Sequence, residues 1–164
     1  MKKLFLLPIL LLSLISCSKE TTDSLVERDG LSYKEFSEKP FTGVYKKYHE
    51  NGQLLAKFRY ENGKPLGKFV AYHENGSLAQ KGVFNKEGKP VELSTYWDHG
   101  GLEAQISSSN GVAQHTWFYY NGQLQRKGSY KNDKREGEWS YYNADGTINE
   151  DKTGTYKSGK KISD

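Results

Sequence analysis

The chain has 164 residues, with 24 Lys and Arg against 20 Asp and Glu, a formal charge of +4. Without Lys2 and Lys3 the balance is 22 basic to 20 acidic, or +2, which gives no electrostatic footprint for nucleic acid and only a weak one for anionic lipid. Cys17 is the one cysteine, which excludes an intramolecular disulfide and a thiolate metal cluster.

Residues 1–16 read as a secretion signal. Lys2 and Lys3 form a positive n-region, and Leu4 to Ile15 is an apolar stretch interrupted by Pro8 and Ser13. It is too short to span a bilayer, which takes about 20 residues. Leu14-Ile15-Ser16-Cys17 resembles a bacterial lipobox, whose cysteine is lipidated and becomes N-terminal. One acyl chain holds a protein only marginally on a membrane; the resemblance implies several on Cys17. The expected location is a lipid-anchored position in a bacterial envelope, at the outer membrane or cell surface rather than the inner membrane. No aspartate directly follows Cys17, and the early Lys19-Glu20 pair resembles a surface-export signal of bacterial lipoproteins. The lipidated Cys17 and a polar, aperiodic stretch form an expected flexible tether over 17–28.

The mature domain is expected over 29–164. Leu31-Ser32-Tyr33 and Lys39-Pro40-Phe41-Thr42-Gly43 predict a first strand or hairpin that caps an array of repeats. Tyr48-His49-Glu50-Asn51-Gly52-Gln53-Leu54 returns as Tyr72-His73-Glu74-Asn75-Gly76-Ser77-Leu78, with weaker copies around Gly100, Gly122 and Gly146. The glycine spacings are 24, 24, 22 and 24 residues, which marks a repeat array. Asn-Gly, Asp-Gly and His-Gly supply the positive φ that hairpin turns require. A second set of turn signals alternates with the first: Asn62-Gly63, Glu87-Gly88, Asn110-Gly111, Asn132-Asp133 and Ser158-Gly159. These divide 41–161 into about five two-stranded units. The predicted fold is all-β, an elongated antiparallel sheet of repeated β-hairpins with no long helix in the mature chain.

If each glycine takes the left-handed conformation after a type I turn, the residue four before it faces the residue two after it across the hairpin. Tyr48 then meets Leu54, Tyr72 meets Leu78, Tyr96 meets Leu102, Phe118 meets Leu124, and Tyr142 meets Ile148; these ten residues are expected to be structural. The other face carries Tyr45, Lys47 and His49, then Phe69, Ala71 and His73, Leu93, Thr95 and Trp97, His115, Trp117 and Tyr119, and Trp139, Tyr141 and Asn143. It grows richer in aromatics toward the C-terminus and holds every tryptophan. Half-exposed Trp and Tyr bury large area and keep a polar tip. Trp97, Trp117, Tyr119, Trp139 and Tyr141 are therefore the candidate partner-binding residues, the alternative being that they pack against neighbouring repeats.

No catalytic constellation is visible. His49 and His73 occupy equivalent places two strands apart, about 10 Å at roughly 4.8 Å per strand, too far for one zinc ion, and are expected to be solvated turn-flanking residues. No phosphate-binding glycine loop or nucleophile elbow occurs. No metal and no cofactor is expected. Lys131 to Glu136 is a mixed-sign run expected as a solvated loop.

Gly43-x-Tyr45-x-x-Tyr48-x-x-Asn51-Gly52-x-Leu54 and Gly137-x-Trp139-x-Tyr141-Tyr142-x-x-Asp145-Gly146-x-Ile148 resemble MORN repeats in their bacterial variant form. Repeats three and four depart from the pattern, with Val91 and Ala113 in place of the leading glycine. The resemblance implies a groove-bearing sheet of hairpins and a non-enzymatic binding role. Relatives are often labelled antitoxins, a label that sits poorly with a leader directing the chain out of the cytoplasm. The leading expectation is a protein partner, met in an antitoxin- or immunity-like role. A glycan ligand and a structural spacer role stand beside it, and nucleic acid is not expected.

Overall fold

The structure, a computed structural model, describes residues 20–164. The predicted leader over 1–16 and the lipidation residue Cys17 lie outside them. Fifteen strands and no helix occur among the described residues. They are β1 (Thr21–Thr22), β2 (Val26–Arg28), β3 (Leu31–Tyr33), β4 (Gly43–Tyr48), β5 (Leu54–Glu61), β6 (Lys64–Pro65), β7 (Gly67–Tyr72) and β8 (Leu78–Phe84). The remainder are β9 (Pro90–Tyr96), β10 (Leu102–Ser109), β11 (Val112–Phe118), β12 (Leu124–Lys131), β13 (Lys134–Tyr141), β14 (Gly154–Lys157) and β15 (Lys160–Ser163). From β4 onward each long strand pairs antiparallel with the next, so sequence order is spatial order. The all-β hairpin array is as expected.

Two kinds of turn alternate. The repeat glycines Gly52, Gly76, Gly100, Gly122 and Gly146 have φ between 81° and 88°. In the first repeat His49 N donates to Gln53 O at 2.8 Å and Gly52 N to His49 O at 2.9 Å, a type I turn closed by a left-handed glycine. The return turns at Asn62-Gly63, Asn110-Gly111 and Ser158-Gly159 put two successive residues at positive φ, the geometry of a two-residue hairpin loop. Asn132-Asp133 does the same without glycine, at φ 50° and 59°, because Asn and Asp tolerate the left-handed region. Asn85 to Lys89 instead repeats the three-residue form, with Asn85 N donating to Lys89 O.

The five predicted cross-strand partners form: Tyr48 with Leu54, Tyr72 with Leu78, Tyr96 with Leu102, Phe118 with Leu124, and Tyr142 with Ile148. In the first four hairpins the register slips by one residue beside this pair. The extra residue (Leu55, Ala79, Glu103 or Gln125) is a β-bulge, which reverses the facing of everything after it on that strand.

With no second layer, the core is one face of the sheet packed on itself. Its central row runs Tyr45–Phe58, then Phe69–Gly82–Leu93–Ile106–His115–Gly128. Phe41, Ala56, Phe69, Ala104, Trp139 and Tyr156 are its buried apolar residues. Six residues after the turn glycine, repeats one and three carry Phe58 and Ile106, and repeats two and four carry Gly82 and Gly128. The glycines make room for rings. A Cβ on Gly82 would come within 2.6 Å of the Phe69 ring, and one on Gly128 within 2.2 Å of the Trp139 ring.

The stretch expected as a tether is ordered from Glu20 on. β1 pairs parallel with β4, and Glu20 O accepts from Val44 N at 2.8 Å, covering an edge that would otherwise expose unpaired backbone. β3, in the stretch expected to cap the array, pairs with β2, which falls in the stretch expected as a tether. They are tied to the first return turn through Ser32 N to Gly63 O and Gly63 N to Phe41 O.

Candidate functional site

A second row lies beside the core row on the same face. Its registered partners run Lys47–Ala56–Ala71–Gln80–Thr95–Ala104–Trp117–Arg126–Tyr141. As far as Ala104 it holds no aromatic ring, only alanines and Thr95 with the exposed Lys47 and Gln80; the last three are large. Arg126 therefore lies between Trp117 and Tyr141 on three adjacent strands, with its guanidinium carbon 4.1 Å from the centroid of the Trp117 ring. Trp117 also stacks on Trp139, at 6.3 Å between ring centroids, and meets the His115 ring at a tilt, at 4.8 Å.

All five predicted partner-binding residues fall on this face, and four of them are half-buried: Trp97, Trp117, Tyr119 and Tyr141. Trp139 is a correction. It is 1% exposed, its indole N–H donates to Ser129 O at 3.1 Å, and the rings of Trp117, Tyr130 and Tyr141 enclose it. It props the face up and does not present itself on it. The predicted ladder pairs lie on the opposite face; eight of the ten residues are half-buried, and Tyr48 and Ile148 are 50% and 57% exposed.

Along the turn edge, hydrogen bonds link successive repeats. His49 Nε2 lies 3.0 Å from Tyr72 O and His73 Nε2 2.8 Å from Tyr96 O; a carbonyl only accepts, so both rings carry Nε2–H. The expectation that these histidines are merely solvated is thereby corrected. Asn51 Nδ2 donates to Glu74 O, Asn75 Nδ2 to Asp98 O and Asn121 Nδ2 to Ala144 O, at 3.0, 3.1 and 3.0 Å. Each of these asparagines also closes its own turn through Oδ1. Repeat three breaks the series. His99 stands in the asparagine place, and Trp97 Nε1, in the place of His49 and His73, is buried without a partner. Tyr120, 60% exposed, instead packs on His99 and Trp97 with ring centroids 4.1 and 5.6 Å away. The break coincides with the 22-residue spacing.

Sequence reasoning named first-strand residues and missed the second strands. Phe58, Phe84, Arg126, Tyr130 and Tyr156 from those strands join the aromatic face, as does Arg135 from β13, the first strand that carries Trp139 and Tyr141. Arg135 is fully engaged: it donates to Tyr141 Oη at 3.2 Å and Gly159 O at 3.3 Å, over the Tyr156 ring at 4.0 Å. Arg126 is not: its Nε is buried and unpartnered, and it forms no ion pair among the described residues. Burial, and after it the Arg126 charge, hold the His115 pKa below the usual imidazole value. Among the described residues no three His, Cys, Asp or Glu side chains gather into a metal-binding group.

Residues 41–62, 65–86 and 113–132 match the model of the MORN repeat variant. These segments are repeats one, two and four, so repeat four matches despite Ala113, and repeats three and five are unmatched. No curated protein matches the chain. Repeats of this family commonly serve as non-catalytic binding modules.

Proposed function

We propose that the MORN-type array is a non-enzymatic binding module, held by lipid on Cys17 in a bacterial envelope, that recognises a protein partner along its aromatic face in an antitoxin- or immunity-like role. The observation that carries this reading is the half-buried group of Trp97, Trp117, Tyr119 and Tyr141 on one side of a single-layer sheet. Interfaces draw most of their affinity from a few such aromatic anchors set on a rigid support. Stacking on Trp139 and Arg126 fixes the Trp117 ring, so little side-chain freedom remains to be lost on binding.

The test is affinity capture with full-length protein from the envelope and secreted fractions of its own cells. One protein retained in near-equal amount, and lost with Trp117→Ala plus Tyr141→Ala in a variant of unchanged circular dichroism, is the expected result. Retention by that variant would remove the aromatic face from the reading. Anchoring is tested separately: Cys17→Ala is expected in the soluble fraction, and its continued partition with membranes would sink the lipid anchor.

A further inference from the structure

The Arg126 site has features that partner docking on a rigid face does not require. A pocket of about 320 Å³ opens beside it, lined by Tyr119, Gln125, Arg126, Tyr141, Tyr142, Asn143, Asn149 and Lys152. Two of these side chains are cationic and none is a carboxylate. Neither cation is ion-paired among the described residues. Two residues after the aliphatic of each of the first four hairpins stand Ala56, Gln80, Ala104 and Arg126, the two alanines each 6% exposed. The position accepts a methyl group or an uncharged amide, so the fold does not need a guanidinium there. A buried Nε–H without an acceptor is costly. Stacking on Trp117 orients the guanidinium plane but supplies no acceptor, whereas Arg135 on the same face has two.

We propose that this pocket binds a carboxylate-bearing sugar, with the carboxylate on Arg126 and Lys152 and the ring against Tyr119 and Tyr141. A planar guanidinium held by stacking suits two-point contact with a carboxylate. The remaining wall carries three amides, Gln125, Asn143 and Asn149, which favours a hydroxylated ring over a bare acidic side chain. Asn149 Nδ2 already donates to Asn143 Oδ1 at 3.2 Å, so these amides are held in place before any ligand arrives. The site shares Tyr119 and Tyr141 with the proposed docking face, but sugar binding there needs no protein partner.

The experiment is titration of purified full-length protein in detergent with trigalacturonate, monitored by the Trp117 indole N–H resonance. Controls are a neutral glucose trisaccharide and the acidic peptide acetyl-Gly-Gly-Glu. Saturable shifts with trigalacturonate alone are expected, weakened about tenfold or more in Arg126→Met, the loss of a charge-assisted contact. Arg126→Lys should lie between the two. Lys152→Met, on an exposed residue, should weaken binding without touching the core and so covers the case in which Arg126→Met misfolds. No saturation with trigalacturonate, or wild-type affinity in both Met variants, would overturn the site. Equal binding of the neutral trisaccharide would overturn the role of charge, and equal or tighter binding of the peptide would overturn the sugar.

Discussion

In the first two repeats the aromatic face is filled from its central row. Phe58 stacks on Phe69 at 5.2 Å, Phe69 meets Phe84 at 4.8 Å, and the row beside them carries Ala56 and Ala71. In the last two repeats both rows are large: Trp139 and Tyr130 pack on Trp117 and Tyr141, with Arg126 and Arg135 among them. Between the clusters stand Leu93, Ile106, Thr95 and Ala104. One backbone repeat thus supports two packings. Phenylalanines over alanines close on themselves, and the long polar side chains of that row, Lys47 and Gln80, are exposed and outside the ring stack. Doubling the ring rows lifts polar tips and cations to the surface, and an array that packs by nearest neighbours can afford this in one segment without disturbing another.

The largest expected effect tests whether the two clusters are independent. Phe69→Ala and Trp139→Ala each remove a buried ring and should each cost about 3–5 kcal/mol. Every tryptophan lies in repeats three to five, so tryptophan fluorescence reports only the C-terminal part while far-ultraviolet circular dichroism reports both. In Phe69→Ala the dichroism should begin to fall at a lower urea concentration than the fluorescence, because the wounded repeats melt first. Coincident curves would show that repeat three transmits the damage and that the array melts as one.

A smaller effect tests the turn-edge ladder. Asn121→Asp keeps the Oδ1 that closes its own turn and loses the Nδ2–H that reaches Ala144 O. The expected cost is about 0.5–1.5 kcal/mol, one hydrogen bond. Asp145 occupies the same place in the last repeat, closes its turn through Thr147 N at 2.9 Å and has no following turn to reach, so Asp145→Asn should be near neutral. Equal costs in urea unfolding would mean that the exchange perturbs the turn itself and that the bond between repeats contributes nothing.

Much of this was legible because turns are written in short range. Asn-Gly and the spacing of the five glycines place every hairpin, and turn geometry alone pairs Tyr48 with Leu54 and its four counterparts. The half of the face supplied by the second strands was hidden by a physical cause. Alternation counted onward from Leu54 puts Ala56 and Phe58 on the side of Tyr48, and the bulge at Leu55 sends them to the side of Tyr45. No residue type marks that bulge: its occupants are Leu55, Ala79, Glu103 and Gln125. Trp139 was misread because a tryptophan on a strand face carries no sign of what lies opposite. Gly128 beneath it was the available signal, a missing side chain that only a large ring explains. The role of His49 was missed because its acceptor is a backbone oxygen, which every residue has.

The smallest effect concerns the C-terminal cluster alone. His115 sits between Trp117 and Tyr130, with ring centroids 4.8 Å from each, and its Nδ1 is buried without a partner. Protonation would put an N–H on a nitrogen that has no acceptor, in a desolvated place, beside a guanidinium. The folded pKa therefore lies below the unfolded value, and the unfolded chain takes up the proton more readily. Stability linked to His115 is fully present above the unfolded value, near 6.5, and is lost as pH falls from there through the folded pKa. Arg126→Met removes the smaller of the two causes and leaves burial, so the His115 pKa should rise in that variant and still stay below the ordinary value, as read from its ring-proton shifts against pH. An unchanged pKa would mean that solvent screens Arg126 from the ring, and the cation would then be open to water on the side where the pocket lies. The Phe58–Phe69–Phe84 stack contains no titratable group, so it should contribute no such dependence on pH between the same limits.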